Sequence, residues 1–83
     1  MPAVHRQGDV NELGGSITDV AQATVFINGQ PVSIDGSQVE GGPTTTANGS
    51  PTVFIGGIPV NRQGDEDTDG IPRADGSPDV HVG

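Results

Sequence analysis

Val25-Phe26-Ile27-Asn28-Gly29-Gln30-Pro31-Val32 and Val53-Phe54-Ile55-Gly56-Gly57-Ile58-Pro59-Val60 are two versions of one motif, set 28 residues apart. Each centres on a two-residue turn of the type that needs positive φ, Asn28-Gly29 in one and Gly56-Gly57 in the other. β-branched and aromatic residues flank both turns, so each motif reads as a β-hairpin. Pairing about the turns sets Ile27 opposite Gln30, Phe26 opposite Pro31 and Val25 opposite Val32. The same register sets Ile55 opposite Ile58, Phe54 opposite Pro59 and Val53 opposite Val60. Side chains alternate between faces along a strand, which gathers Val25, Ile27, Val32, Val53, Ile55 and Val60 onto one face, the expected core. Phe26 and Phe54 fall on the opposite face.

A third copy is present in two halves. Ser77-Pro78-Asp79-Val80-His81-Val82-Gly83 matches Ser50-Pro51-Thr52-Val53-Phe54-Ile55-Gly56, 27 residues earlier. Pro2-Ala3-Val4-His5-Arg6-Gln7-Gly8-Asp9 ends like Asn61-Arg62-Gln63-Gly64-Asp65. The third unit is therefore split across the chain ends and adds Val80, Val82 and Val4 to the core face. A linear array of repeats needs capping units and does not wrap. The expectation is a small all-β cone of three β-hairpin repeats with pseudo-threefold symmetry and adjacent termini. Pro31 and Pro59 lack the N–H of a central ladder position and belong at hairpin edges or ends. The connectors, residues 10–22, 37–49 and 66–76, are rich in Gly, Asp, Thr or Pro and show no helical period. The longest helix-like stretch, 17–22, spans only about a turn and a half, so almost no helix is expected.

The chain has 83 residues, which argues for a single domain, 1–83. It contains 14 Gly and 7 Pro, its aromatic residues are Phe26 and Phe54, and it lacks Lys, Cys, Trp and Tyr. That composition borders on disorder, but the clustering of Val and Ile between turns points to short strands. The formal net charge is −8, with Arg6, Arg62 and Arg73 the basic residues. Nucleic acid is excluded as a partner, because phosphate contacts need a basic patch. Anionic membrane surfaces are disfavoured for the same reason. Disulfides and thiolate metal sites are excluded by the missing cysteines. With no apolar run of membrane-span or signal-peptide length, the chain is expected to be made in the cytoplasm.

Taken together, these motifs resemble the PAAR-repeat family. The opening Met1-Pro2-Ala3-Val4-His5-Arg6-Gln7-Gly8-Asp9 is similar to the Pro-Ala-Ala-Arg start that names the family. The two complete motifs resemble its S-P-x-V-F-V-N-G-x-P-V-x-R-x-G-D repeats. The resemblance implies a cone whose base caps the blunt end of a trimeric β-helical spike, one cap per trimer, in a type VI secretion system, a contractile phage tail or a related particle. The apex would point at the target cell envelope, and separate effector proteins are possible cargo. Many members hold a metal near the apex through His and Cys in the connectors. This sequence departs from that pattern. Where the family often has His ahead of a Gly-Gly pair, Leu13 precedes Gly14-Gly15, and the connectors contain neither His nor Cys. No metal or other cofactor is therefore expected. In the unit around Phe26, the R-x-G-D element is eroded to Ile34-Asp35-Gly36-Ser37.

His5 and His81 both lie in the split unit. In the hairpin register His81 faces Ala3 and His5 faces Asp79, so a two-His site, with Asp79, is the metal candidate. Two His alone are too few for a closed structural zinc site, and the plainer reading is that they replace Asn61 and Phe54 of the sister unit. Asp65-Glu66-Asp67-Thr68-Asp69-Gly70 is similar to the start of a D-x-D-x-D-G calcium loop, but Gly76 stands where the bidentate Glu belongs. A small acidic cation-binding module built on this run is one alternative function, and an adaptor that attaches effectors to a spike is another. No nucleophile elbow or paired catalytic acids are present, so the chain reads as non-enzymatic. Arg6 and Arg62, each followed three residues later by Asp9 or Asp65, read as structural, each bonding loop carbonyls or the neighbouring Asp, with a grip on the spike as the alternative. Phe26, Phe54 and the equivalent His81 are the candidates for contact with a spike.

Overall fold

The computed structural model describes residues 2–20, 24–40 and 43–83, and among them there is no helix. The strands are short: β1 (Ile17–Asp19), β2 (Phe26–Ile27), β3 (Gln30–Pro31), β4 (Gln38–Val39), β5 (Phe54–Ile55) and β6 (Ile58–Pro59). β2–β3 and β5–β6 are the two expected hairpins, with Phe26 opposite Pro31, Ile27 opposite Gln30, Phe54 opposite Pro59 and Ile55 opposite Ile58. Turn chemistry sets this register. Asn28 and Gly29 have φ of 55° and 78°, and Gly56 and Gly57 have 59° and 80°, the doubly left-handed turn that matches strand twist. The third hairpin joins the chain ends, as its split sequence requires. Ala3 pairs with His81, Val4 N–H donates to Val80 O at 3.0 Å and Val82 N–H donates to Pro2 O at 3.0 Å.

The second strand of each unit continues past its hairpin and bonds to the next unit. Val4 bridges Arg62, Val32 bridges Arg6 and Val60 bridges Ile34. The backbone hydrogen bonds run in one sense around this ring. His5 N–H donates to Asn61 O at 3.0 Å, Asn61 N–H to Ser33 O at 2.9 Å, and Ser33 N–H to His5 O at 2.9 Å. The prolines fit this scheme as acceptors: Gln7 N–H donates to Pro31 O and Asp35 N–H to Pro59 O, while Gln63 N–H donates to Ala3 O in the split unit.

Each segment then makes a tight turn through Gly8, Gly36 or Gly64, closed by Asp9 N–H to Arg6 O, Ser37 N–H to Ile34 O and Asp65 N–H to Arg62 O. The Gly stands at the third turn position with φ of 93°, 90° and 92°, which explains why R-x-G-D carries Gly there. The Asp9 and Asp65 carboxylates accept from the N–H of Arg6 at 2.8 Å and of Arg62 at 2.7 Å. The eroded unit keeps that bond with a hydroxyl, Ile34 N–H donating to Ser37 Oγ at 3.2 Å. The S-P-x-V motif has a similar basis: Ser50 Oγ accepts from Thr52 and Val53 N–H, and Ser77 Oγ from Asp79 and Val80 N–H.

A second ring forms where the connectors meet. Ile17 pairs with Val39 across β1–β4, Thr46 bridges Asp67, and Arg73 bridges Asn11. The core keeps the expected hairpin face, Val25 excepted, and adds residues from the connectors. Its buried members are Val4, Ile17, Val20, Val32, Ile34, Val39 and Val60, with Ile27, Val53, Ile55, Ile58, Val80 and Val82 packed against them half-buried. Val25 is 41% exposed and leaves the core, whereas Val53 at the equivalent position of the second hairpin packs against it. Ile17, Val20 and Val39 come from the connectors, which are a packed layer and not merely linkers. Of the helix-like stretch 17–22, Ile17–Asp19 is strand β1, and residues 21 and 22 lie outside the described residues. The principal extents are 25, 24 and 21 Å.

Candidate docking positions and polar core

Phe26 and Phe54 point away from the core at equivalent hairpin positions, 56% and 52% exposed, while the adjacent Ile27 and Ile55 are half-buried. His81, in register with Ala3, occupies the matching position of the split unit and is also exposed. The connectors thus leave all three positions open. With Leu13 and Val25, Phe26 and Phe54 are the exposed large hydrophobic residues among the described ones.

Arg6 and Arg62 are pinned along their own turns. Arg6 donates through Nε and Nη2 to the two Asp9 oxygens at 2.9 Å each, and Arg62 does the same with Asp65 at 3.0 and 2.7 Å. These bonds raise both guanidinium pKa values above the ordinary one, with burial opposing. Arg6 Nη1 also reaches Asn28 Oδ1 at 3.0 Å, tying its turn to the tip of the β2–β3 hairpin. Ser77 Oγ donates to the same oxygen at 2.6 Å and Asn28 Nδ2 donates to Asp79 at 3.0 Å, so the split unit is fastened to its neighbour through side chains as well. The bond from Asn28, together with Ser77 Oγ 2.9 Å from Asp79 Oδ1, holds the Asp79 carboxyl below the usual range.

The first ring buries polar side chains as well as the apolar core residues. His5, Ser33 and Asn61 are fully buried at equivalent positions. Ser33 Oγ donates to Asn61 Oδ1 at 2.7 Å and Asn61 Nδ2 donates to Asp35 at 2.7 Å. Burial pushes the Asp35 carboxyl up, while the Asn61 and Gly49 donors oppose it. His5 Nδ1 lies 2.7 Å from the Asp75 carbonyl, which fixes Nδ1 as the protonated nitrogen of the neutral ring. Burial holds the His5 pKa below its ordinary value; the Asp75 carbonyl bond opposes this and the Arg73 charge adds to it.

The two histidines are placed differently: His5 is sealed inside and His81 is exposed. The group whose geometry could gather an ion among the described residues is His5, Asp9 and Asp75. Asp9 is committed to Arg6, Asp75 Oδ1 accepts from Val10 N–H at 2.9 Å and His5 Nδ1 donates to the Asp75 carbonyl, while His5 Nε2 is buried with no hydrogen-bond partner among the described residues. The acidic run does not converge on one point. Asp65 binds Arg62, Asp67 is buried against Asn11 and Arg73, and Asp69 caps Ile71 N–H at 3.2 Å. The connector interior, where the resemblance implied a metal, does not fit one. Asn11, Ile17, Val39, Thr46, Asp67 and Arg73, which pair across it, are all buried, and one of them already carries a positive charge. Leu13, at the position of the family's His, is 78% exposed. That Arg73 lies in this interior was not foreseen from the sequence, where an Arg in a polar loop reads as surface.

The arrangement defines a small all-β protein of hairpins bonded in a ring, with equivalent side chains displayed on each. The chain belongs to the PAAR motif family, whose model matches residues 7–70. No curated protein matches the sequence. The family is structural and sits on the spikes of contractile injection systems, with type VI secretion and phage tails its usual setting.

Proposed function

We propose that this protein is a non-enzymatic tip that caps the end of a trimeric β-helical spike, one cap per trimer, and forms its sharp apex toward the target cell envelope. The observation that carries the reading is the ring of backbone bonds among segments 28 residues apart, His5 to Asn61 to Ser33 and back to His5. A spike of three chains ends in three exposed strand edges, which are sticky unless covered. One chain carrying three bonded units can cover all three edges at once. Phe26, Phe54 and His81 supply an equivalent contact from each unit, and the interface is apolar and main-chain in character. The chain would be made in the cytoplasm and assembled into a virion tail or injection particle.

Co-purification with the C-terminal fragment of the spike tests this. A complex of one cap per trimer that persists at high salt is expected, because screening weakens exposed ion pairs and leaves apolar burial intact. Loss of the complex at high salt, or three caps per spike, would sink the reading.

A further inference from the structure

Arg73 is 1% exposed and is among the largest fully buried side chains of the protein. It occupies the connector position that Ile17 and Thr46 fill in the sister units, as the backbone shows: Ile17 N–H donates to Asp9 O, Thr46 N–H to Ser37 O and Arg73 N–H to Asp65 O. Its counter-charge, Asp67, stands where the sisters have Asn11 and Val39. Arg73 Nη2 donates to Gly15 O at 2.6 Å, and Nη1 lies 3.2 Å from Asp67 Oδ1, a charge contact without hydrogen-bond alignment. Asn11 Nδ2 donates to the other Asp67 oxygen at 3.0 Å, and Asn11 Oδ1 accepts from Leu13 and Gly15 N–H. The second connector closes on the same point, since a Cβ at Gly15 would stand 3.2 Å from Val39 Cγ1.

We propose that the Arg73 guanidinium is a built-in cation that fastens the connectors, with Asp67 and the Gly15 carbonyl as its partners and Asn11 holding Asp67 in place, where a bound metal ion would otherwise sit. A guanidinium is suited to this because it is always charged and its planar fork addresses a carbonyl and a carboxylate together. A divalent ion in the same interior would meet that charge at short range, and the connectors offer it neither imidazole nor thiolate.

Removing one partner of a buried ion pair leaves the other unpaired, whereas replacing both by apolar residues need not destabilise. Thermal melts of the full chain exploit that asymmetry. Arg73→Met should lower the Tm by about 10 °C or more. The double variant Asp67→Val with Arg73→Ile copies the sister residues Val39 and Ile17, and it should recover at least half of that loss. Wild-type protein treated with a strong chelator should melt unchanged, and elemental analysis should find no stoichiometric metal. A chelator-sensitive melt with about one equivalent of metal overturns the proposal. So does an Arg73→Met variant that melts with the wild type, or a double variant that falls as far as the single one. If Arg73→Met does not fold, the double variant decides alone: folded supports the proposal and unfolded overturns it.

Discussion

Adding one methyl group at Gly76 should loosen the seam between the two ends of the chain. A Cβ there would lie 2.6 Å from Val4 O, 3.0 Å from Ala3 Cβ and 3.2 Å from Val4 C, and two of these three contacts are backbone atoms that cannot swing aside. The neighbouring Ser77 N–H donates to the same Val4 O at 2.8 Å. Restoring an ordinary contact of 3.4 Å moves Gly76 by about 0.8 Å, which stretches that hydrogen bond to roughly 3.6 Å, beyond useful range. Overpacking costs about 1–3 kcal/mol and an unmade buried bond about 1–3 kcal/mol, so Gly76→Ala should cost about 2–6 kcal/mol. A domain of this size holds about 4–12 kcal/mol in total, so the loss is a large share of it. Each kcal/mol shifts the Tm of such a domain by about 4–8 °C, so a fall of at least about 8 °C in a circular-dichroism melt is expected. Gly29→Ala is the control. Its φ of 78° is strained for Ala but its Cβ meets nothing within 4 Å, so only the backbone cost of about 1–2 kcal/mol applies. Gly29→Asn should recover most of that cost, because Asn tolerates the left-handed region. A Gly76→Ala melt within 2 °C of the wild type, or no steeper a loss than Gly29→Ala, would refute the steric reasoning.

Joining Gly83 to Met1 and opening the chain between Asp69 and Gly70 should give a protein that still melts cooperatively, because Val82 already bonds Pro2; an unfolded permutant would contradict the closed ring. His5 makes stability depend on pH. Its folded pKa is depressed, so the unfolded chain takes up the proton first, and stability is complete above about 6.5 and falls as the pH is lowered through the folded value. Urea midpoints at pH 7.5 and 5.5 should show that loss, and His5→Asn, which copies Asn61, should flatten it; equal slopes in both proteins would assign the effect elsewhere. Asp9→Ser imitates Ser37, keeping an acceptor for Arg6 N–H while losing the guanidinium bonds. It should cost about 1–3 kcal/mol by denaturant unfolding, and no change would mean that the Arg6–Asp9 pair is idle.

The hairpins were legible in the sequence because their register is set locally, by Asn28-Gly29 and Gly56-Gly57. The meeting of the chain ends was legible because the repeat spacing left half a unit at each terminus. The connector layer was not, since Ile17, Val20 and Val39 are isolated among Gly, Thr and Asp and show no period. Val25 read as core because alternation describes one hairpin, whereas burial is decided by which neighbour lies above it. The Arg73 interior did leave a trace. Aligning the connectors by their offset places Arg73 on Ile17 and Asp67 on Val39, and a charged residue aligned with an apolar one is a sign of a buried pair. The eroded Ile34-Asp35-Gly36-Ser37 was visible as a departure, but that Ser37 would retain the backbone bond of the missing Asp followed only from the coordinates.

Because the units share one chain, they need not be identical, and Phe26, Phe54 and His81 are not. If the partner is the trimeric spike proposed above, a socket formed by three identical chains cannot tell in advance which of its corners will receive the imidazole. Three seatings, each turned by a third of a revolution, would then be equal in every contact and distinct only in labelling. Each assembled particle would hold one seating, chosen at random. A threefold-averaged image of the assembled tip would blend two benzyl rings and one imidazole into a single composite side chain at every corner.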